Sequence, residues 1–128
     1  MPFKELAKGA ICRILFWAAT QEEAELAEKN CPDITERELA KLPRLYKPFA
    51  DNGEMPKSKE KFKSVEDEKD LFAFKSHQVR LLGAFLDKVT FGICHCVRKK
   101  KQKYRPADLA TAQKKKNTMK KEWESEHP

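Results

Sequence analysis

Between His95 and Pro106 the chain reads His-Cys-Val-Arg-Lys-Lys-Lys-Gln-Lys-Tyr-Arg-Pro, an imidazole followed by six cations and a phenol. Histidine exchanges a proton near neutral pH. Closely spaced lysines and arginines neutralise the phosphates of a polyanion. The apolar run Val89–Val97 leads directly into this segment and reads as a buried strand, which would fix the imidazole in place. Together these residues point to chemistry on a phosphodiester. The competing reading is a solvated lysine-rich helix end beside a core histidine bonded to backbone.

The chemistry suited to this set is RNA cleavage by the neighbouring 2′-hydroxyl. It needs a base for the 2′-OH, cations for the charge developing on phosphorus oxygens, and a proton for the departing 5′-oxygen. The candidate catalytic residues are Arg80, His95, Lys99, Lys100 and Tyr104. Arg80 offers a planar fork for two phosphate oxygens. Lys99 and Lys100 lie among like charges, which favours their neutral form and lets either serve as base instead of His95. Tyr104 can stack on a base or donate a proton. Lys75, Arg98, Lys101, Lys103, Arg105, Lys114, Lys115 and Lys116 make up the candidate RNA-binding set. The sequence offers no carboxylate pair or Cys/His set fit for a catalytic metal, so neither metal nor other cofactor is expected.

These residues need a scaffold. Ile11–Ala18 reads as a first strand, and Thr20 with Glu23 as a capping box opening a short helix. Thr35 with Glu38 repeats that signal ahead of a stripe of Leu39, Leu42, Leu45/Tyr46 and Phe49 at helical spacing. Pro43 should kink or divide that helix, and Asn52-Gly53 should stop it. Lys57–Asp70 reads as a charged connection anchored only by Phe62 and Val65. Leu71–Lys75, Val79–Leu86 and Val89–Val97 then form an antiparallel meander through turns at Ser76-His77 and Asp87-Lys88. Two-residue turns at those positions would set Arg80 opposite His95, about 5 Å apart at Cβ, with Lys75 on the same face. Pro106 suits the first turn of a last helix whose apolar positions are Leu109, Ala112, Met119 and Trp123, with Lys116 interrupting the stripe.

At 128 residues the expectation is a single domain, 1–128, with a basic C-terminal helix or tail from about 106 to 128. The fold class expected is α+β: an antiparallel sheet of about four strands, N-terminal helices packed on it and the basic helix last. Residues 1–56 carry eight Lys/Arg against ten Asp/Glu, whereas residues 98–121 carry eleven Lys/Arg against Asp108 alone. That asymmetry points to a polyanionic partner for the C-terminal part. Cys94 and Cys96, two apart on one strand, should share a face. They make a poor disulfide, and the four cysteines are expected to be reduced. The run Ala10–Ala19 is too short to span a bilayer and carries Arg13 in its middle, so it reads as a strand. A cytoplasmic protein with no membrane partner is expected.

An Arg-bearing strand, a hairpin, an apolar strand ending in His, then Lys-Lys-x-Gln-Lys and Pro before a final helix resembles the phage-derived branch of the RelE/HigB toxin superfamily. That segment typically reads His-Gly-Phe-x-Lys-Lys-Thr-Gln-Lys-Thr-Pro there; His95, Lys99, Lys100, Gln102 and Lys103 match in register, and Pro106 after one inserted residue. Arg80 matches the arginine of the preceding strand, and Phe62–Lys75 resembles the lead-in strand. Cys96 stands for Gly, Val97 for Phe and Lys101 for Thr. The resemblance spans roughly Ile11 to Lys116 and is specific over 71–106. It implies a RelE-like fold and the toxin of a type II toxin–antitoxin pair. Such a toxin cuts mRNA without metal, commonly on the ribosome, and is neutralised by a small antitoxin, expected to be of helix-turn-helix type. The alternative is a non-catalytic RNA- or ribosome-binding regulator, a degenerate toxin-like protein, which needs only the basic tail.

Overall fold

The computed structural model describes residues 2–53 and 61–127. Within them lie strands β1 (Phe3–Lys8) and β2 (Arg13–Trp17), then helix α1 (Gln21–Leu26), a 3₁₀ turn at Ala27–Asn30, and helices α2 (Glu36–Lys41) and α3 (Pro43–Asn52). Strands β3 (Phe62–Ser64), β4 (Phe72–Ser76), β5 (Val79–Asp87) and β6 (Thr90–Arg98) follow, and helix α4 (Pro106–Glu126) closes the chain.

The fold is α+β, with one sheet in the order β1-β2-β6-β5-β4-β3. Six strands replace the expected four or so. The sheet is also mixed rather than purely antiparallel, because β2 runs parallel to β6. The two additional strands are short or polar. In β1, Lys4, Glu5 and Lys8 are exposed on an edge, where charge discourages pairing with another chain. Strand β3 falls within the expected charged connection, Lys57–Asp70, whose first part, residues 57–60, lies outside the described residues.

Helical signals act where the sequence places them. Thr20 accepts from the Glu23 backbone N–H, and Thr35 with Glu38 forms a complete capping box. Pro43 divides the long apolar stripe into two helices, and Gly53 ends the second at φ 80°, a left-handed conformation that glycine adopts without Cβ strain. Phe49 and Tyr46 of α3 pack on Phe74 and Phe91 on one face of the sheet. Helix α4 covers the other face, with Ala112 over Leu82 and Val97 and with Met119 over Trp17 and Ala84. Lys116 continues this stripe. It is 6 % exposed, and its ammonium donates to the Lys69 carbonyl at 2.8 Å while its stem covers apolar surface.

Both hairpin turns fall one residue later than expected. Asp87 pairs with Thr90, and its carboxylate accepts from the Val89 N–H at 2.8 Å, so Asp87 opens the turn instead of occupying its centre. Ser76 likewise pairs with Val79, with His77 at φ 54° in the turn. Arg80 therefore faces Lys75 and Val97, while His95 faces Leu82. The slip is by two residues, which preserves the face but makes His95 a diagonal neighbour of Arg80 instead of its direct partner.

A bulge lies between the Leu82–His95 and Gly83–Ile93 pairs, leaving Cys94 as the extra residue. A Cβ on Gly83 would lie 1.9 Å from the Gly92 carbonyl oxygen, so this close approach requires glycine. Because of the bulge, Cys94 and Cys96 do not share a face. Cys94 packs with Met119 under α4, whereas Cys96 lies in the opposite core beside Cys31. All four thiols are free and buried, and burial pushes Cys94 up to about 12. Among the described residues, no helix is long and apolar enough to cross a membrane.

Candidate functional site

Strand β2 accompanies β6 only as far as the Phe16–Ile93 pair. Beyond it β6 continues to Arg98 with β5 alone, and a cleft of about 470 Å³ opens along its free side. Such a crevice beyond the carboxyl ends of parallel strands is a common ligand position in open sheets. His95, Val97, Lys99 and Tyr104 line it from the strand and the following loop, and Lys100, Lys101, Lys103 and Arg105 supply its cationic lip.

Four cations from four segments meet around Lys99, which is itself part of the cleft wall. Lys75 of β4 and Arg80 of β5 are direct cross-strand partners. Lys63 of β3 and Lys99, just after β6, complete the group: burial lowers the Lys99 pKa first, followed by Arg80, Lys75 and Lys63, with Glu66 opposing. Like charges set directly opposite across two strands are unfavourable for the sheet. The Lys99 ammonium sits 4.4 Å from the Tyr104 ring centroid. The Tyr104 hydroxyl lies against the Arg80 guanidinium; burial raises its pKa, and Arg80 works in the opposite direction. Arg80 also donates to the carbonyls of His77 and Val79, yet its buried Nε has no partner among the described residues.

His95 forms a second centre, under α4. Its Nδ1 lies 3.2 Å from the Lys115 ammonium. An ammonium can only donate, so Nδ1 accepts, and the proton of the neutral ring sits on Nε2. That atom faces the Asp108 carboxylate at 3.8 Å, too long for a direct hydrogen bond, and is buried without a hydrogen-bond partner among the described residues. Burial lowers the His95 pKa, Lys115 lowers it further, and Asp108 partly opposes both. The other Asp108 oxygen holds Arg105 at 3.1 Å.

The sequence-predicted residues thus divide into groups. Arg80, Lys99, Tyr104 and Lys75 come together; His95 stands apart with Lys115; Lys100, Lys101, Lys103 and Arg105 line the cleft. Arg98 does not face it as a free cation. It grips Glu38 at 2.7 and 3.1 Å and also donates to the Pro32 and Asp33 carbonyls, tying β6 to the start of α2. Lys114 is exposed on α4, and Lys116 is buried against the 65–71 loop instead of being presented to a ligand. Lys63 and Asp108 were not among the candidate site residues of the sequence. Asp108 carried a signal, as the lone acid between residues 98 and 121. Among the described residues, no three His, Cys, Asp or Glu side chains converge as a metal site would require.

No protein-family model matches the chain, and no curated protein or solved structure matches it significantly.

Proposed function

We propose that this chain is an RNA-cleaving toxin of the type II toxin–antitoxin kind, working without metal on mRNA, in keeping with the RelE/HigB resemblance. One observation carries the reading: the Tyr104 hydroxyl lies against the Arg80 guanidinium and its ring against the Lys99 ammonium, while Arg80, Lys75 and Lys63 all bear on Lys99 with Glu66 opposing them. A phosphodiester relieves that repulsion, and single-stranded RNA brings both the phosphate and the nucleophile. Arg80 and Lys75 hold the non-bridging oxygens as negative charge accumulates on phosphorus. Lys99, held below its ordinary pKa and beside Arg80 and Tyr104, takes the 2′-OH proton. Tyr104 keeps its proton at neutral pH and delivers it to the departing 5′-oxygen, with Arg80 stabilising the phenolate. The products are a 2′,3′-cyclic phosphate and a 5′-hydroxyl. His95, neutral and occupied at Nδ1, holds Lys115 behind the cleft wall. A small antitoxin protein is the partner this reading implies.

The engagement of His95 also favours a second reading, a non-catalytic RNA-binding regulator. A base whose lone pair accepts from Lys115 must lose that bond before it can work. Induced expression followed by RNA cleavage assays on the parent and on Arg80→Ala separates the two. The toxin reading expects growth arrest and cleavage in the parent, both lost in the variant. Parent protein that binds RNA but neither cuts it nor slows growth would establish the binder.

A further inference from the structure

His95 is a wall between two clefts. Behind it, where β2 leaves β6, lies a second space of about 330 Å³ between the 3₁₀ turn and α4. Its volume falls within the range of small-molecule sites. Ala18, Ala19 and Pro32 give it apolar sides over Trp17; beside the shared wall of His95, whose Nδ1 is taken by Lys115 and whose Nε2 faces Asp108, its polar side chains are those of Glu23, Asn30 and Lys115.

The hydrogen-bonding capacity of these three is specific. The Asn30 amide nitrogen donates to the carbonyls of Glu23 and Ala27 at 2.9 and 3.0 Å, which fixes the amide orientation and leaves its oxygen as the available group. Glu23 has its backbone N–H engaged by Thr20, while its carboxylate has no partner among the described residues. Lys115 supplies donors. The space therefore offers two acceptors and one cationic donor within apolar walls, beside a phosphate-binding cleft.

We propose that this second cleft receives an unpaired guanine of the bound RNA. Guanine is the base whose edge presents two adjacent donors, N1–H and the N2 amino group, with the O6 acceptor next to them. Glu23 and Asn30 accept from the donors, and Lys115 reaches O6. Adenine, cytosine and uracil each present a further acceptor to the two protein acceptors and are rejected. Single-stranded RNA is commonly read in this way, by bases placed in pockets and bonded along their Watson–Crick edges. The proposal rests on the RNA reading above and adds base selectivity to it.

The test measures binding of fluorescein-labelled RNA hexamers by anisotropy: homopolymers of A, C and U, and the same sequences carrying one central guanine. The intact chain should bind the guanine-containing hexamers about tenfold more tightly, the scale of one well-matched bidentate contact. Glu23→Gln replaces one acceptor oxygen with a donor on an exposed position of α1. It should abolish that preference and leave affinity for guanine-free hexamers unchanged or slightly raised. Circular dichroism and thermal melting verify that the variant is folded. Equal, salt-sensitive affinity for all hexamers would overturn the guanine site while leaving the RNA reading intact. A guanine preference that survives Glu23→Gln would also overturn it. Absence of binding to any hexamer would remove both.

Discussion

Replacing Arg98 by Met should destabilise the fold by about 2 kcal/mol at pH 7 and leave RNA binding by the folded protein nearly unchanged. The Glu38 and Arg98 side chains are 18 % and 16 % exposed, and the Glu38 carboxyl sits at about 2 instead of its ordinary 4.5. That difference corresponds to roughly 3 kcal/mol between its ionised and protonated states. The Arg98 hydrogen bond is the largest cause and the Thr35 backbone N–H the second. Solvent screening and the Thr35 share reduce the Arg98 contribution to about 2 kcal/mol. The folded carboxyl titrates below the unfolded one, so the stabilisation is complete above about pH 5 and is lost as pH falls toward 2. Urea unfolding followed by tryptophan fluorescence at pH 7, 4 and 3 should show parent and Arg98→Met converging as the solution acidifies. Glu38→Gln should bring the same convergence, and the double variant should cost little more than either single change. A pH-independent gap, or a loss below about 0.5 kcal/mol at pH 7, would refute this reasoning.

Replacing Lys100, Lys101 and Lys103 together by Ala should weaken RNA binding and flatten its log–log salt slope by about 2, since single strands release roughly 0.7 counterion per contact. Lys116→Met should leave that slope unaltered, because its ammonium is committed to the Lys69 carbonyl. His95 is held below its ordinary pKa, so between that value and its lowered folded value the unfolded chain binds the proton more readily. Stability should therefore fall as pH drops below about 6.5, and His95→Gln should remove that component from the urea midpoints. Tyr104→Phe should slow cleavage by about 10²-fold or more at saturating RNA, with little change in affinity; an unchanged rate would exclude Tyr104 as the proton donor.

Much of the scaffold was legible because local signals and packing agree. Thr35 with Glu38, Pro43, Gly53 and Pro106 each act where they stand, and the meander from Phe72 to Arg98 is read from its short apolar runs separated by turn residues. The registers were less accessible. Whether Asp87 opens its turn or sits in its centre depends on one side-chain hydrogen bond, and the choice moves every partner along β5 and β6. The bulge that turns Cys94 and His95 together toward α4 depends on Gly83 approaching Gly92, a tertiary contact with no local signature. Strand β1 escaped notice because its charged edge residues carry no alternation, and the parallel β2–β6 pair is a long-range choice that no turn announces. Among the cations, the sequence supplied their types but not their commitments. Arg98 and Lys116 look like their neighbours in the sequence, yet each is drawn into the fold by carbonyls and a carboxylate far away along the chain.

Mass analysis of RNA fragments after incubation with the purified chain in EDTA tests the central claim most directly, because 2′-hydroxyl attack leaves a chemical signature. The mechanism predicts fragments ending in 2′,3′-cyclic phosphate with 5′-hydroxyl partners, formed without metal and blocked by a 2′-deoxy substitution at the cut site. No fragments at all, or 3′-hydroxyl and 5′-phosphate ends appearing only when magnesium is restored, would contradict it.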